Sequence, residues 1–191
     1  MALPRGFTTL AEAEAERIRQ ELGISPYVRI DAHALAESLA IPVIALRDLR
    51  LRIGGDSRLE ASIDLLLGAG GAEFSAATVF FQSRRVIVHN DSHSPGRQVS
   101  NLCHEVAHGL LLHTPRPALD GRGCRDWDDQ IEDEADYLAS TIIIPGKAAR
   151  GAVGRGLSEE QIAEQFGCSI QMARRRVNQS GARRLRARRS A

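Results

Sequence analysis

Two histidines four residues apart, with a glutamate directly after the first, constrain this chain more than any other feature. His104-Glu105-Val106-Ala107-His108 spells H-E-x-x-H. On an α-helix, positions four apart lie about 6 Å apart along the axis and only about 40° around it. Two imidazoles so placed can grip one metal ion, and Glu105 between them can reach a water that the ion holds. The flanking residues agree with a helix. Ser94-Pro95 reads as a start, the serine as a cap and the proline in the first turn, where its missing N–H costs nothing. From there a helix is expected to run to about His113. Val99, Leu102, Val106 and Leu110 cluster on one side of it, opposite His104 and His108. One face is then built for a core and the other for a site.

A two-histidine zinc site needs a third protein ligand and an open position for water. Asp126 to Asp136 carries seven carboxylates in eleven residues. Such a run usually means a solvated loop, but its register argues for more. From Glu132 the chain reads as a helix that Pro145 stops. Glu132, Asp136, Ala139 and Ile143 form one stripe on it, at the spacing i, i+4, i+7, i+11. Small Ala139 would let this helix approach the first closely. Glu132 is then placed to complete the metal site, and Asp136, one turn on, to accept the outer N–H of a ligand histidine. The same spacing puts Glu134 on the opposite face, and His113 about half a turn from the ligand face. His89, His93 and Tyr27 are open candidates for steadying an oxyanion, and nothing in the sequence selects among them.

These paired motifs resemble the ImmA/IrrE family of metallo-endopeptidases. The resemblance rests on His104-Glu105-x-x-His108, then Glu132-x-x-Ala135-Asp136-x-x-Ala139, then apolar residues ending in Pro145. Arg85 to Asn90 reads as the strand that precedes the H-E-x-x-H helix in that family, and Arg97 falls where a basic residue is common. Ile30-Asp31 and Ile41-Pro42-Val43 are similar to the family's beginning. Cys103 stands where a small residue such as Ala is expected. The resemblance implies an enzyme, a zinc endopeptidase with His104, His108 and Glu132 as ligands and Glu105 as the base. It implies one Zn²⁺, with another divalent ion such as Mn²⁺ as the alternative. It also implies a protein substrate, a helix-turn-helix transcriptional repressor whose cleavage relieves repression in a stress, phage or mobile-element circuit. The competing reading is a non-catalytic DNA-binding or repressor-sequestering regulator with a structural metal site; an intact Glu105 counts against it.

Charge is uneven along the chain. A net charge of +1 conceals the segment from Gln165 to Ala191, with eight arginines and no carboxylate. Ahead of and within it, Ser158 with Gln161 forms a capping box, Gly167 suits a tight turn, and Ser169 caps a second helix. This is a helix-turn-helix pattern with Ile162, Ala163, Phe166, Ile170 and Ala173 as its small core. Arg174, Arg175 and Arg176 lie along its second helix, where they could meet nucleic-acid phosphates. Packing of these helices on the peptidase domain, with the arginines solvated, is the alternative.

Three widely spaced cysteines, Cys103, Cys124 and Cys168, suggest reduced thiols rather than a disulfide framework. No apolar run has the length of a membrane span, and the chain's beginning does not read as a signal peptide. A cytoplasmic protein is the expectation. The expected fold is α+β: a small, largely antiparallel sheet packed on a helical H-E-x-x-H core, with a carboxyl-terminal helix-turn-helix-like appendage. Helices are expected at Thr9 to Leu22 and Asp31 to Leu39. Strands are expected at Val43–Leu46, Ala61–Leu67, Thr78–Phe81 and Val86–His89, with a turn at Gly68 to Gly71. The expected division is a peptidase domain over 1–145, a linker over 146–156, the appendage over 157–179 and a disordered basic tail over 180–191.

Overall fold

The computed structural model describes residues 3–52, 55–68, 74–81, 84–113 and 128–189. Cys124, the first two acidic-run residues Asp126 and Trp127, and most of the expected glycine turn lie outside these. The chain opens with helix α1 (Phe7–Glu21), which buries Phe7, Ala11, Ala15 and Ile18 along one stripe. Helix α2 (Ala32–Ser38) follows, capped by the Asp31 carboxylate, which accepts from the His33 and Ala34 amides.

Among the described residues three strands make the sheet: β1 (Val43–Ala45), β2 (Ala76–Phe81) and β3 (Arg84–His89), in the order β1-β3-β2. β2 pairs with β3 antiparallel, with Thr78 opposite Ile87, whereas β1 runs parallel to β3, with Ile44 opposite Val88. The fold is α+β, with a small mixed sheet whose longer pairing is antiparallel.

Between β1 and β2 lie α3 (Leu46–Arg52) and α4 (Ser57–Leu67). The expected strand at Ala61–Leu67 is the second half of α4. A short apolar run such as Ile63 to Leu67 carries no period of its own. The Asp56 carboxylate, accepting from the Arg58 and Leu59 amides, starts a helix there. Only Ile63 of α4 is buried.

Helix α5 (Pro95–Leu110) carries the H-E-x-x-H residues and buries Leu102, Cys103, Val106 and Ala107. Val99 and Leu110 pack at the edge of the same core. The Ser94 hydroxyl makes no capping bond; its carbonyl accepts from the Arg97 and Gln98 amides instead. Helix α6 (Asp129–Ile143) is capped by Asp128 and lies against both α5 and α1. Ala107, Ala135 and Ala139 are fully buried, and their small side chains let the helices approach.

The carboxyl-terminal third departs most from expectation. Residues expected to form a linker make helix α7 (Gly146–Gly154), in which Gly146, Ala148, Ala149, Ala152 and Val153 are buried. The Gly146 amide donates to Glu12 Oε2, on α1, over 3.0 Å. Helices α8 (Glu159–Phe166) and α9 (Ile170–Gln179) follow, with the capping box at Ser158 and Gln161 in place. Gly167 between them has φ 63°. Ile162, Ala163, Phe166 and Ala173 are buried, but Ile170 is exposed, and Met172 and Val177 take its share of the core. The tail expected to be disordered contains helix α10 (Ala182–Arg189), anchored by buried Ala182. One continuous cluster of buried residues joins α1, α5 and α6 to α7, α8 and α9. The last helices therefore belong to the core that holds the site. A helix-turn-helix unit with a core of its own does not describe them.

Candidate metal centre

Helices α5 and α6 bring His104, His108 and Glu132 together, with ligand atoms all within 4.8 Å of one another. His104 Nε2 lies 3.0 Å from His108 Nε2 and 3.2 Å from Glu132 Oε2, and His108 Nε2 lies 3.6 Å from the same oxygen. Four donors about 2.0–2.2 Å from one ion stand about 3.3–3.6 Å apart in a tetrahedron. Two imidazole nitrogens and one carboxylate at this spacing fit a metal ion, and no other cluster among the described residues does so.

The outer face of each imidazole is engaged. His104 Nδ1 donates to Asp136 Oδ1 over 3.0 Å, as the stripe along α6 predicts. The other Asp136 oxygen pairs with Arg175, from α9. His108 Nδ1 faces His113 Nδ1 at 2.9 Å, and His113 Nε2 faces Glu134 Oε2 at 3.4 Å. These contacts shape the charges. Burial works against a proton on His104, yet its bonds to Asp136 and Glu132 prevail and raise it to about 9. Burial also works against charge on Glu132 and Asp136, but the imidazole bonds hold both carboxyls below their ordinary values. His113 is lowered, chiefly by burial, with Glu134 opposing.

Glu105 projects beside this cluster and is held from the sheet: Thr78 Oγ1, on β2, donates to Glu105 Oε2 over 2.5 Å. His89 is buried at the end of β3 in edge contact with His33, and burial lowers its pKa. His93 meets Asn101 at the start of α5, and Tyr27 is half exposed.

Two residues set aside on helical spacing belong to the site's surroundings. The helical projection puts His113 half a turn off, but α5 ends before it. Leu112 adopts φ 55°, and the amides of Leu112 and His113 return to the carbonyls of Gly109 and His108, a Schellman closure. Glycine usually fills that left-handed position, where a side chain costs about 1–2 kcal/mol. The turn swings His113 back over His108. It also brings His113 to Glu134, which does not face away into solvent. Thr78 is the other omission; its only sequence signal is a place on the strand before the one that leads to the helix.

The arginine run divides. Arg176 is fully buried, donates to the Ile144 carbonyl over 2.8 Å, pairs with Glu12 and lies over the Tyr137 ring. It cannot meet a phosphate, because its guanidinium closes the end of α6. Arg175 is tied to Asp136, and Arg174 pairs with Glu159 at 2.6 Å. The turn between α8 and α9 is pressed onto α5: a Cβ on Gly96 would stand 2.7 Å from the Cys168 carbonyl oxygen. Cys103 and Cys168 are free and buried, and burial pushes both thiols up to about 12. Arg97, the basic residue of the resemblance, donates to Ser75 Oγ.

The model of the IrrE N-terminal-like domain, peptidase family M78, matches residues 63–178, more than half of the chain. The chain belongs to that family. The match makes it a metallopeptidase-type protein and runs into the last turn of α9, so α7, α8 and nearly all of α9 fall inside the matched region. No curated protein and no solved structure matches the chain. Among the described residues no helix is long and apolar enough to cross a membrane.

Proposed function

We propose that this M78 protein is a zinc-dependent endopeptidase in which His104, His108 and Glu132 hold the ion and Glu105 is the general base. The observation that carries the reading is Glu105 itself, close enough for its charge to act on the ligand His104 and oriented by Thr78. A purely structural site has no use for a further carboxylate held in that way. Zinc in this donor set supplies a water acidified to near neutral pH and a Lewis acid for the peptide carbonyl. Glu105 takes the proton from the attacking water on its carboxylate and delivers it to the departing amine. Thr78 keeps that carboxylate from turning away. Asp136 holds the His104 ring with its Nδ1 proton outward, leaving Nε2 for the ion.

β2 is an edge strand of the sheet among the described residues, and it carries Thr78. An extended segment of a protein substrate could add beside it as a further strand, passing Glu105. The resemblance to the ImmA/IrrE peptidases supports a helix-turn-helix repressor as that substrate. Burial takes Arg176 out of any nucleic-acid surface, and Arg174 and Arg175 are engaged in ion pairs with Glu159 and Asp136.

Glu105→Gln tests the proposal. It keeps the side chain's shape and removes the base. Zinc content is expected to stay near that of the unaltered chain, while cleavage of a protein substrate falls by at least about 100-fold. Cleavage at the unaltered rate by the purified variant would remove Glu105 from the mechanism.

A further inference from the structure

We infer that His113 and Glu134 are positioning residues for His108: together they fix its tautomer and the direction of its ring. The inference rests on the reading of His104, His108 and Glu132 as metal ligands. Two ring nitrogens, His108 Nδ1 and His113 Nδ1, face each other at 2.9 Å. Such a contact is a hydrogen bond only when one nitrogen carries a proton and the other does not. His108 Nε2 points at His104 and Glu132, so its lone pair is needed there and its proton must sit on Nδ1. His113 Nδ1 is then the acceptor, which places the His113 proton on Nε2. Glu134 Oε2 lies on that side, 3.4 Å away.

One assignment therefore satisfies every contact: His108 Nδ1–H donates to His113, and His113 Nε2–H donates to Glu134. The opposite tautomer of His113 would confront His108 with a second N–H and push the His108 proton toward the metal side. The groups in this relay differ from those behind His104, although Glu134 sits on α6 as Asp136 does. The His113 ring is only 10% exposed and the Glu134 side chain 15%. The ring is locked by the Schellman closure at Leu112, and Glu134 Oε1 is held by Gln130 Nε2 at 2.9 Å. The rings of His108 and His113 meet edge to face, at 66° between planes, a geometry that directs the His108 ring as well as its proton. Outer partners of ligand histidines are usually carboxylates, carbonyls or water. Here an imidazole takes that role and passes the demand to a carboxylate one step farther out.

The experiment measures zinc affinity by competition with a chromophoric chelator, together with the d–d absorption of the Co²⁺-loaded protein. The variants are His113→Leu, which removes the acceptor, and His113→Asn, whose side-chain oxygen can stand near the place of Nδ1. His113→Leu is expected to weaken zinc binding about 10 to 100-fold and to shift the cobalt spectrum. His113→Asn is expected to recover most of the affinity and the unaltered spectrum. Glu134→Leu should fall between the two. The melting midpoint of the metal-free proteins is read alongside. Unchanged affinity and spectrum in His113→Leu overturn the inference while leaving the metal centre standing. Equal losses in Leu and Asn variants, in step with lowered metal-free melting, also overturn it, since bulk packing alone would then be at work. An unaltered chain that takes up no zinc overturns the metal-centre reading and this inference with it.

Discussion

The two histidines of the H-E-x-x-H helix share an inner side and differ on the outer one. Both direct Nε2 toward Glu132. Behind His104 stands a charged group, Asp136, itself tied to Arg175. Behind His108 stands an imidazole, His113, with the charge displaced to Glu134. A bond to an ionised acceptor is roughly twice as strong as one between neutral groups. The proton on His104 shows the consequence, since Asp136 and Glu132 outweigh burial and raise it to about 9. One ligand is thus held by charge and the other by direction, and removal of each support should cost a different amount.

The largest effect tests the part the two share. Glu132→Ala leaves the site one ligand short and strips both imidazoles of their common partner. Its loss of zinc affinity should exceed the roughly 10 to 100-fold typical of an outer partner. Metal content after dialysis against a weak chelator reads this directly. Retention of stoichiometric zinc would mean that some other carboxylate is the third ligand, and the shared inner side would no longer exist.

Asp136→Asn comes next and separates the two sides. Asn can still accept from His104 Nδ1, but without the charge. A loss within about 10 to 100-fold is expected, and a larger one than Glu134→Leu gives, because Glu134 acts one step farther from its ligand. Competition titrations of both variants under one buffer decide it. Should Glu134→Leu prove the costlier, the distinction between a charged and a neutral support is wrong.

The sequence makes the His104 side legible and hides the His108 side, for a physical reason. Glu132 and Asp136 lie on one helix at a spacing of four, and His104 and His108 on another, so helical geometry alone pairs them. His113 lies past the end of α5, where the helical projection no longer applies. Its place depends on Leu112 adopting φ 55°, a conformation that no leucine advertises. The same limit explains the regions that differ from expectation. Four glycines between Gly146 and Gly156 read as a linker, yet the Gly146 amide bonds α7 to Glu12 on α1. The apolar run ending at Leu67 carries no period to distinguish strand from helix, and the Asp56 cap at the start of α4 decides it. Arg174, Arg175 and Arg176 read as one basic surface, although successive helical residues point about 100° apart. One of the three is buried, one meets Glu159 and one reaches the metal centre's outer carboxylate.

That last contact supplies the smallest and sharpest prediction. Arg175 belongs to α9, far along the chain from the H-E-x-x-H motif, and its pair with Asp136 leaves it 42% exposed. An ion pair so open to water contributes at most about 1 kcal/mol, hence no more than about 5-fold in zinc affinity when its whole effect falls on His104. Arg175→Met keeps the unbranched stem and removes the charge. At low ionic strength the variant should bind zinc about 2 to 5-fold more weakly. In about 0.5 M salt, where screening acts within a few ångströms, the gap should close. The Asp136→Asn loss, which comes from a direct bond to the ligand ring, should persist in the same salt. Titrations of both variants at the two salt concentrations give four affinities against the unaltered chain. A salt-independent loss in Arg175→Met would show that the residue shapes α9 rather than the charge on Asp136. No loss at either salt would leave Asp136 as the outer limit of the support behind His104.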